Sequence, residues 1–353
     1  MEGRGVYNRS SRVQAAGLSP AVPLLEQAAR TVALPAAPQP IVIVDYGSSE
    51  GHNSFGPLAA AIRTIRKRVG PEREVLVVHT DLPGNDFSAL FQAVGTDPNS
   101  YMCGDPAVFA SAVGRSFYDQ ILPSNSIRLA WSSWSVQWLS RVPTPIPDQV
   151  QVAYSRDPTA RDLFARQGAE DWRMFLFHRG RELRPGGRLV VLTMALDEAG
   201  SFGYRPLLEA MYAALLDIVE VGFVGADEIQ RMAIPTVGRS RSDLVAPFEE
   251  SGRFAGLSIE QTEVFLGEDR IWAEFEREGD ARAFGARWAA FARASVFPTL
   301  TSGLEGGRAD PRAATFVARL EAEVAARLAA APEPMLIPLG KMLLVKEGTE
   351  HYE

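Results

Sequence analysis

Two acidic residues end apolar runs and stand where a ligand can be held. Asp45 follows IVIV at 41–44, and Asp81 follows VLVVHT at 75–80. Beyond Asp45 comes a small-residue turn, Gly47, Ser48, Ser49 and Gly51, then a helical pattern over 54–69. Glycine in such a turn lets the backbone approach a ligand closely, and the helix that follows offers unpaired N–H groups. An acidic residue after the second strand of a unit like this commonly accepts hydrogen bonds from ribose hydroxyls. That is the chemistry expected of Asp81; its plainer reading is a turn residue before Pro83–Gly84. The glycine spacing is G-x-x-x-G, not the dinucleotide G-x-G-x-x-G, which argues against an oxidoreductase on a nicotinamide cofactor.

A second group is Trp131, Trp134 and Trp138, interleaved with Ser132, Ser133, Ser135 and Gln137. Tryptophans at this helical spacing are usually core. With so many polar neighbours they read here as a pocket wall with polar handles. The four histidines, His52, His79, His178 and His351, are scattered, and no pair has metal-ligand spacing. Cys103 is the single cysteine, so neither an internal disulfide nor a multi-cysteine metal site is possible.

The elements that must position these groups alternate along the chain. Apolar runs at 41–44, 75–80 and 127–131 read as buried strands, as do the stretch after RPGG near 188, 254–265 and 335–345. Helical patterns cover 19–30, 54–69, 158–183, 206–219, 281–295 and 311–330, with a further helix starting near Ser242. GRSFY at 114–118 leads into an expected helical stretch, and 99–113 shows no clear pattern. Alternating strands and helices predict an α/β fold, a mainly parallel sheet covered on both faces. Helices near 203–252 and in 267–330 are expected over the carboxyl ends of the strands as a cap.

Composition bounds the class. The chain has 353 residues, 46% hydrophobic and 22% charged, ordinary for a globular protein. No apolar run approaches the roughly 18–20 residues of a membrane span, and the N-terminus lacks the apolar core of a signal peptide. A cytoplasmic location is the default expectation. The net charge of −7 argues against a nucleic-acid partner.

Five stretches together resemble the SABATH family of carboxyl methyltransferases. They are YNRSSRVQ, DYGSSEGHN, HTDLPGNDF, GRSFY with the LP that follows, and SSWSVQWLSRVP, supported by DWRMFLFHRGRELRPGGRLVV. The resemblance implies a class I methyltransferase, a Rossmann-like mainly parallel sheet with an α-helical cap. It divides the chain into an N-terminal lid at 1–20, a core at 21–200, and a cap at 201–335 with a returning core strand near 254–265. A closing core strand and the C-terminus occupy 336–353. The implied cofactor is S-adenosylmethionine, leaving as S-adenosylhomocysteine, with no metal. Carried over by motif, Ser11, Asp45, Gly47, Asn53, Asp81, Leu82, Ser116 and Phe117 line the cofactor site. Gln14 and Trp138 hold the substrate carboxylate, and Tyr7, Trp134, Gln137, Leu207 and Leu208 complete the substrate site. A homodimer is implied as well.

The chemistry fits those residue types. A sulfonium methyl is already activated, and a carboxylate with a pKa near about 4 is already ionised at neutral pH. No general base is then required. Alignment of oxygen, methyl carbon and sulfur can supply about 7–11 kcal/mol of the barrier. The Gln14 amide and the Trp138 indole N–H are neutral donors that orient a carboxylate without protonating it.

The chain departs from the family pattern at Trp134, where a tyrosine is usual, and at Gln137, where an apolar residue is usual. Leu208, beside Leu207, replaces a bulky tryptophan. These changes lead to the expectation of a monocarboxylic acid with an apolar body, a medium-chain fatty acid rather than a salicylate- or benzoate-like acid. Gln137 points the other way, since a polar wall residue can recognise a hydroxyl on a ring. An N-methyltransferase of the same family and a non-catalytic S-adenosylmethionine binder are the rival readings.

Overall fold

Continuous burial along the inner strands sets the architecture of the protein, because both faces of the sheet are covered. In the computed structural model, which describes residues 19–348, the strands are β1 (Ile41–Tyr46), β2 (Val75–Asp81), β3 (Val108–Gly114) and β4 (Ile127–Ser133). They continue as β5 (Leu183–Met194), β6 (Leu257–Leu266) and β7 (Pro338–Lys346). The sheet order is β3-β2-β1-β4-β5-β7-β6. The first five pair with one another in parallel; β7 runs antiparallel to both β5 and β6.

Each face of the sheet has its own apolar layer. Ile41, Ile43, Leu129, Trp131, Val190 and Leu192 face one side, packed with α1 (Val22–Thr31) and α2 (His52–Val69). Val44, Tyr46, Ala130, Leu189 and Val191 face the other. There they meet Trp172, Phe175 and Leu176, carried on a long helix that α3 (Phe87–Thr96) precedes in the chain, namely α4 (Pro158–Glu182). Each fully buried aliphatic or aromatic side chain of this kind contributes about 1.5–3 kcal/mol. Asp157 caps α4 by accepting from Thr159 N at 2.8 Å, and Pro158 occupies the first helical position, where no N–H is needed.

The later helices are α5 (Arg205–Glu220), α6 (Ala226–Gln230), α7 (Arg241–Val245), α8 (Arg270–Glu278), α9 (Ala281–Ser295), α10 (Phe297–Leu300) and α11 (Ala313–Ala330). α11 packs against both α9 and α5. Their apolar faces, with Leu215, Trp288 and Leu320, join the core on the α1–α2 side of the sheet. No helix among the described residues is long and apolar enough to cross a membrane.

Two local expectations are corrected, and two further elements had no expectation. β3 and α3 are regular elements that the sequence pattern did not reveal. β3 is an edge strand whose burial is partial and does not alternate, so it has no clean period. Residues 115–126 form turns and no helix. The segment carrying the three tryptophans is not helical either: β4 runs through Ser133, and the chain then turns.

Candidate active site

The parallel order reverses between β1 and β4, and a cavity of about 410 Å³ lies beyond the carboxyl ends of these strands. A crevice at such a switch point is where open α/β sheets bind ligands. Gly47, Ser48, Ser49 and Gly51 form its floor. Gly47 has φ +80, and a Cβ there would come within 2.1 Å of Ser135 Oγ. The backbone is held down as Gly47 N and Ser48 N donate to Thr80 O at 2.8 and 3.0 Å. The turn therefore presents bare main chain to the cavity, with Asn53 and Ser54 at the start of α2 beside it.

Asp81 sits on the same wall. Its Oδ2 accepts from Ser49 N and its Oδ1 from Leu82 N, each at 2.7 Å. Burial pushes this carboxyl up, and the two backbone N–H groups pull it back. Two further lone-pair positions remain for a ligand diol. Asn85 ties the Asp81 loop to the glycine turn, donating from Nδ2 to Ser49 O at 2.8 Å. Leu82 is largely exposed, and it lines the same cavity as Ser116 and Phe117.

Asp45 does not line the cavity. Its side chain is buried, with Oδ2 3.0 Å from His79 Nδ1, and His79 Nε2 lies 2.8 Å from Tyr101 Oη. A carboxylate buried among apolar strands needs such partners, and they draw it behind the wall. Asp45 thus supports the floor without forming its surface. Trp131 is likewise corrected: strand alternation sends it into the core beneath the sheet. Trp134 and Trp138 do line the cavity, along with Gln137. Trp134 stands at φ +54, an uncommon conformation for a bulky residue, and this bend turns the segment off the sheet.

The Trp134–Trp138 segment is fixed from outside. Leu139 N donates to Pro235 O at 2.7 Å, and Val237 N to Gln137 O at 2.9 Å. Buried Arg239 donates to Val136 O at 2.6 Å and to Gly168 O at 2.9 Å. Tyr118 Oη donates to Trp138 O at 2.5 Å. Tyr118 belongs to the GRSFY motif, so the sequence carried its signal; Arg239, in an unpatterned loop, carried none.

A buried ion pair holds the loop that bears Ser116 and Phe117. Arg179 and Glu182 on α4 are both 0% exposed, with Nη2 to Oε1 at 2.9 Å. Arg179 also donates to Phe117 O at 2.7 Å and to Asp119 O at 2.8 Å. Glu182 Oε1 accepts from Ile121 N at 2.5 Å and Leu122 N at 3.1 Å, and its Oε2 accepts from Tyr46 Oη. Burial pushes the Tyr46 phenol well above its usual value, so its O–H is the donor.

The far half of the cavity is mostly apolar, with Phe202, Leu207, Leu208, Met211, Phe291 and Val296 among its lining. Leu207 and Leu208 are where the sequence placed them. Tyr7, Ser11 and Gln14 lie outside the described residues. No group of three or more His, Cys, Asp or Glu among the described residues could hold a metal ion.

The strand order, the glycine floor and the acidic residue ending β2 define a class I S-adenosylmethionine-dependent methyltransferase. The residues fit that cofactor: bare main chain for an extended tail, a carboxylate for a diol, and the apolar side chains of Leu82 and Phe117 in the same lining for a ring. More narrowly, the chain belongs to the SAM-dependent carboxyl methyltransferase family, which it matches over residues 2–336. It is 30% identical over 258 residues to Methyltransferase LUC1 of Fusarium sp, covering 71% of this chain and 66% of that one. It is 28% identical over 250 residues to a salicylate carboxymethyltransferase of Clarkia breweri, covering 68% and 67%. It thus spans about two thirds of the length of these relatives. A solved loganic acid methyltransferase with SAH superposes at a TM-score of 0.77, with 20% identity, covering 100% of this chain and 99% of that one.

Proposed function

We propose that the protein transfers the methyl group of S-adenosylmethionine to the carboxylate of a small acid with an apolar body. The observation that carries this reading is one cavity whose lining includes the Asp81–glycine floor, the apolar side chains of Leu207, Leu208 and Met211, and Trp134 and Trp138. In this reading Asp81 holds the ribose diol, Leu82, Ser116 and Phe117 lie along the adenine, and the glycine turn accommodates the amino-acid tail. The bound cofactor supplies an activated methyl group. Trp138 and Gln14 orient the carboxylate, with Ser11 and Tyr7 closing over the two ligands, by family resemblance. Asp45 acts indirectly, by fixing the floor through His79.

A medium-chain aliphatic acid is the substrate class that Leu207, Leu208 and Met211 support, since a tryptophan at 208 would shorten the cavity. Each buried methylene contributes about 0.8 kcal/mol, so catalytic efficiency should climb severalfold per two-carbon extension until the cavity is full. The test is a kinetic series from butanoate to tetradecanoate, run beside benzoate. Flat efficiency along the series, with benzoate about tenfold better, overturns the aliphatic assignment. The expected assembly is a homodimer; light scattering at micromolar concentration that gives a monomer mass overturns that.

A further inference from the structure

We propose that Tyr118 is a positioning residue that couples the two ligands, so that a cofactor bound along the 116–118 loop raises the affinity of the acid site built on Trp138. The inference rests on the carboxyl-methylation reading above. Tyr118 directly follows Phe117, and both line the cavity. Its ring meets the Phe117 ring edge-on with centroids 4.7 Å apart, and its N–H donates to Ser116 Oγ at 3.2 Å. Its phenol reaches out of this loop and donates to Trp138 O at 2.5 Å. Burial pushes the phenol up against the pull of Arg239, so it remains an O–H donor at neutral pH.

Both ends of this bond are anchored. On the loop side, Arg179 donates to Phe117 O at 2.7 Å and to Asp119 O at 2.8 Å, the carbonyls before and after Tyr118. On the other side, Gln137 O accepts from Val237 N and Leu139 N donates to Pro235 O. The peptide between them, at Trp138, has its carbonyl bonded to Tyr118. A second bond runs the same way. Ser135 Oγ donates to Gly47 O at 3.2 Å and to Ser133 O at 2.9 Å, joining the glycine floor to the same segment. Elements that hold the cofactor therefore reach the Trp134–Trp138 segment at two points, the floor through Ser135 and the loop through Tyr118.

A hydroxyl-to-carbonyl bond placed this way transmits order. A ligand packed on Phe117 restricts the loop, and the loop restricts Tyr118 and, through it, the Trp138 peptide. The acid then meets an indole N–H that is already set, and less freedom is lost when it binds. Linkage makes the effect reciprocal, so the acid raises cofactor affinity by the same factor. Couplings of this kind are usually about 5- to 150-fold.

The experiment measures S-adenosylhomocysteine binding by calorimetry, with and without a saturating acid. The acid is the best substrate among butanoate to tetradecanoate and benzoate, chosen by transfer from labelled S-adenosylmethionine. S-adenosylhomocysteine carries no sulfonium charge and no methyl to transfer, so charge attraction between the ligands and turnover are both removed. In the full chain the acid should tighten its binding about fivefold or more. Tyr118→Phe keeps the ring and removes only the hydroxyl. In that variant S-adenosylhomocysteine alone should bind within about twofold of the full chain, the acid should no longer tighten it, and KM for the acid at saturating cofactor should rise by the lost factor. Absence of tightening in the full chain overturns the proposal and needs no variant. Tightening that persists in Tyr118→Phe overturns it too, as does a variant whose affinity for S-adenosylhomocysteine alone falls as far as its affinity for the acid. Cofactor binding with no methyl transfer to any acid of the series overturns the carboxyl-methylation reading, and the proposal with it.

Discussion

Replacing Arg179 with Met tests how the adenine side of the site is held. Arg179 is fully buried and makes three contacts at once: the Glu182 carboxylate at 2.9 Å, Phe117 O at 2.7 Å and Asp119 O at 2.8 Å. Its guanidinium also lies over the Tyr46 ring at 4.2 Å. Met fills much of the volume but carries no charge. Glu182 keeps its three donors, Tyr46 Oη, Ile121 N and Leu122 N, and loses its counter-charge. Breaking a buried pair from one side costs about 3–5 kcal/mol, because the remaining charge stays out of water. Whole-protein stabilities are about 5–15 kcal/mol, so this is a large share. At about 2–4 °C per kcal/mol, the thermal midpoint should drop by roughly 10 °C. The same change frees the carbonyls of Phe117 and Asp119, so the loop lining the cofactor cavity loosens. Calorimetry should then show weakened S-adenosylmethionine binding at temperatures where the variant is still folded. A double variant, Arg179→Met with Glu182→Gln, removes the stranded charge, keeps an acceptor for Ile121 N and Leu122 N, and should recover much of the midpoint without the lost loop contacts. A single variant that costs under about 1 kcal/mol refutes the energetic argument. One that is destabilised but binds the cofactor unchanged refutes the link to the loop.

Asp81→Asn should weaken S-adenosylmethionine binding by about 1.5–3 kcal/mol, the size of a hydrogen bond to a charged group, or roughly 10- to 100-fold in Kd. Unchanged affinity by calorimetry removes Asp81 from the ribose role. Acid stability should report the joint between α6 and the segment before α11. Hydrogen bonds from Arg312 hold the Glu228 carboxyl down to about 2, and Gly225 N and Glu305 N donate to it as well. A depressed folded value means this stabilisation is complete above the ordinary carboxylate range, near about pH 4.3, and is lost as pH falls toward 2. Thermal midpoints measured from pH 5 down to 2 should fall, and Arg312→Gln should flatten that fall; parallel profiles for the two proteins count against it.

The sequence by itself determined the elements whose pattern has one dominant cause. β1, β2 and β4 sit inside a parallel sheet with both faces covered, so they read as continuous apolar runs. α4 announces itself through Asp157 and Pro158 at its start. The glycine floor was legible because φ +80 at Gly47 and the closeness of Ser135 leave no room for another residue. The tertiary structure decided everything that depends on a partner far along the chain. Asp45 and Asp81 look alike as acidic residues at strand ends, yet His79 sequesters the first and leaves the second at the cavity. Trp131, Trp134 and Trp138 have one spacing, but strand alternation buries Trp131 and a bend at Trp134 delivers the other two to the cavity. Arg179 and Glu182 have the i, i+3 spacing of an ordinary solvent-facing pair. They are fully buried because the loop at 117–122 folds over them and supplies the carbonyls and N–H groups that replace water. Local pattern records which side chains avoid water; which polar groups are buried together depends on contacts that only the folded chain brings into reach.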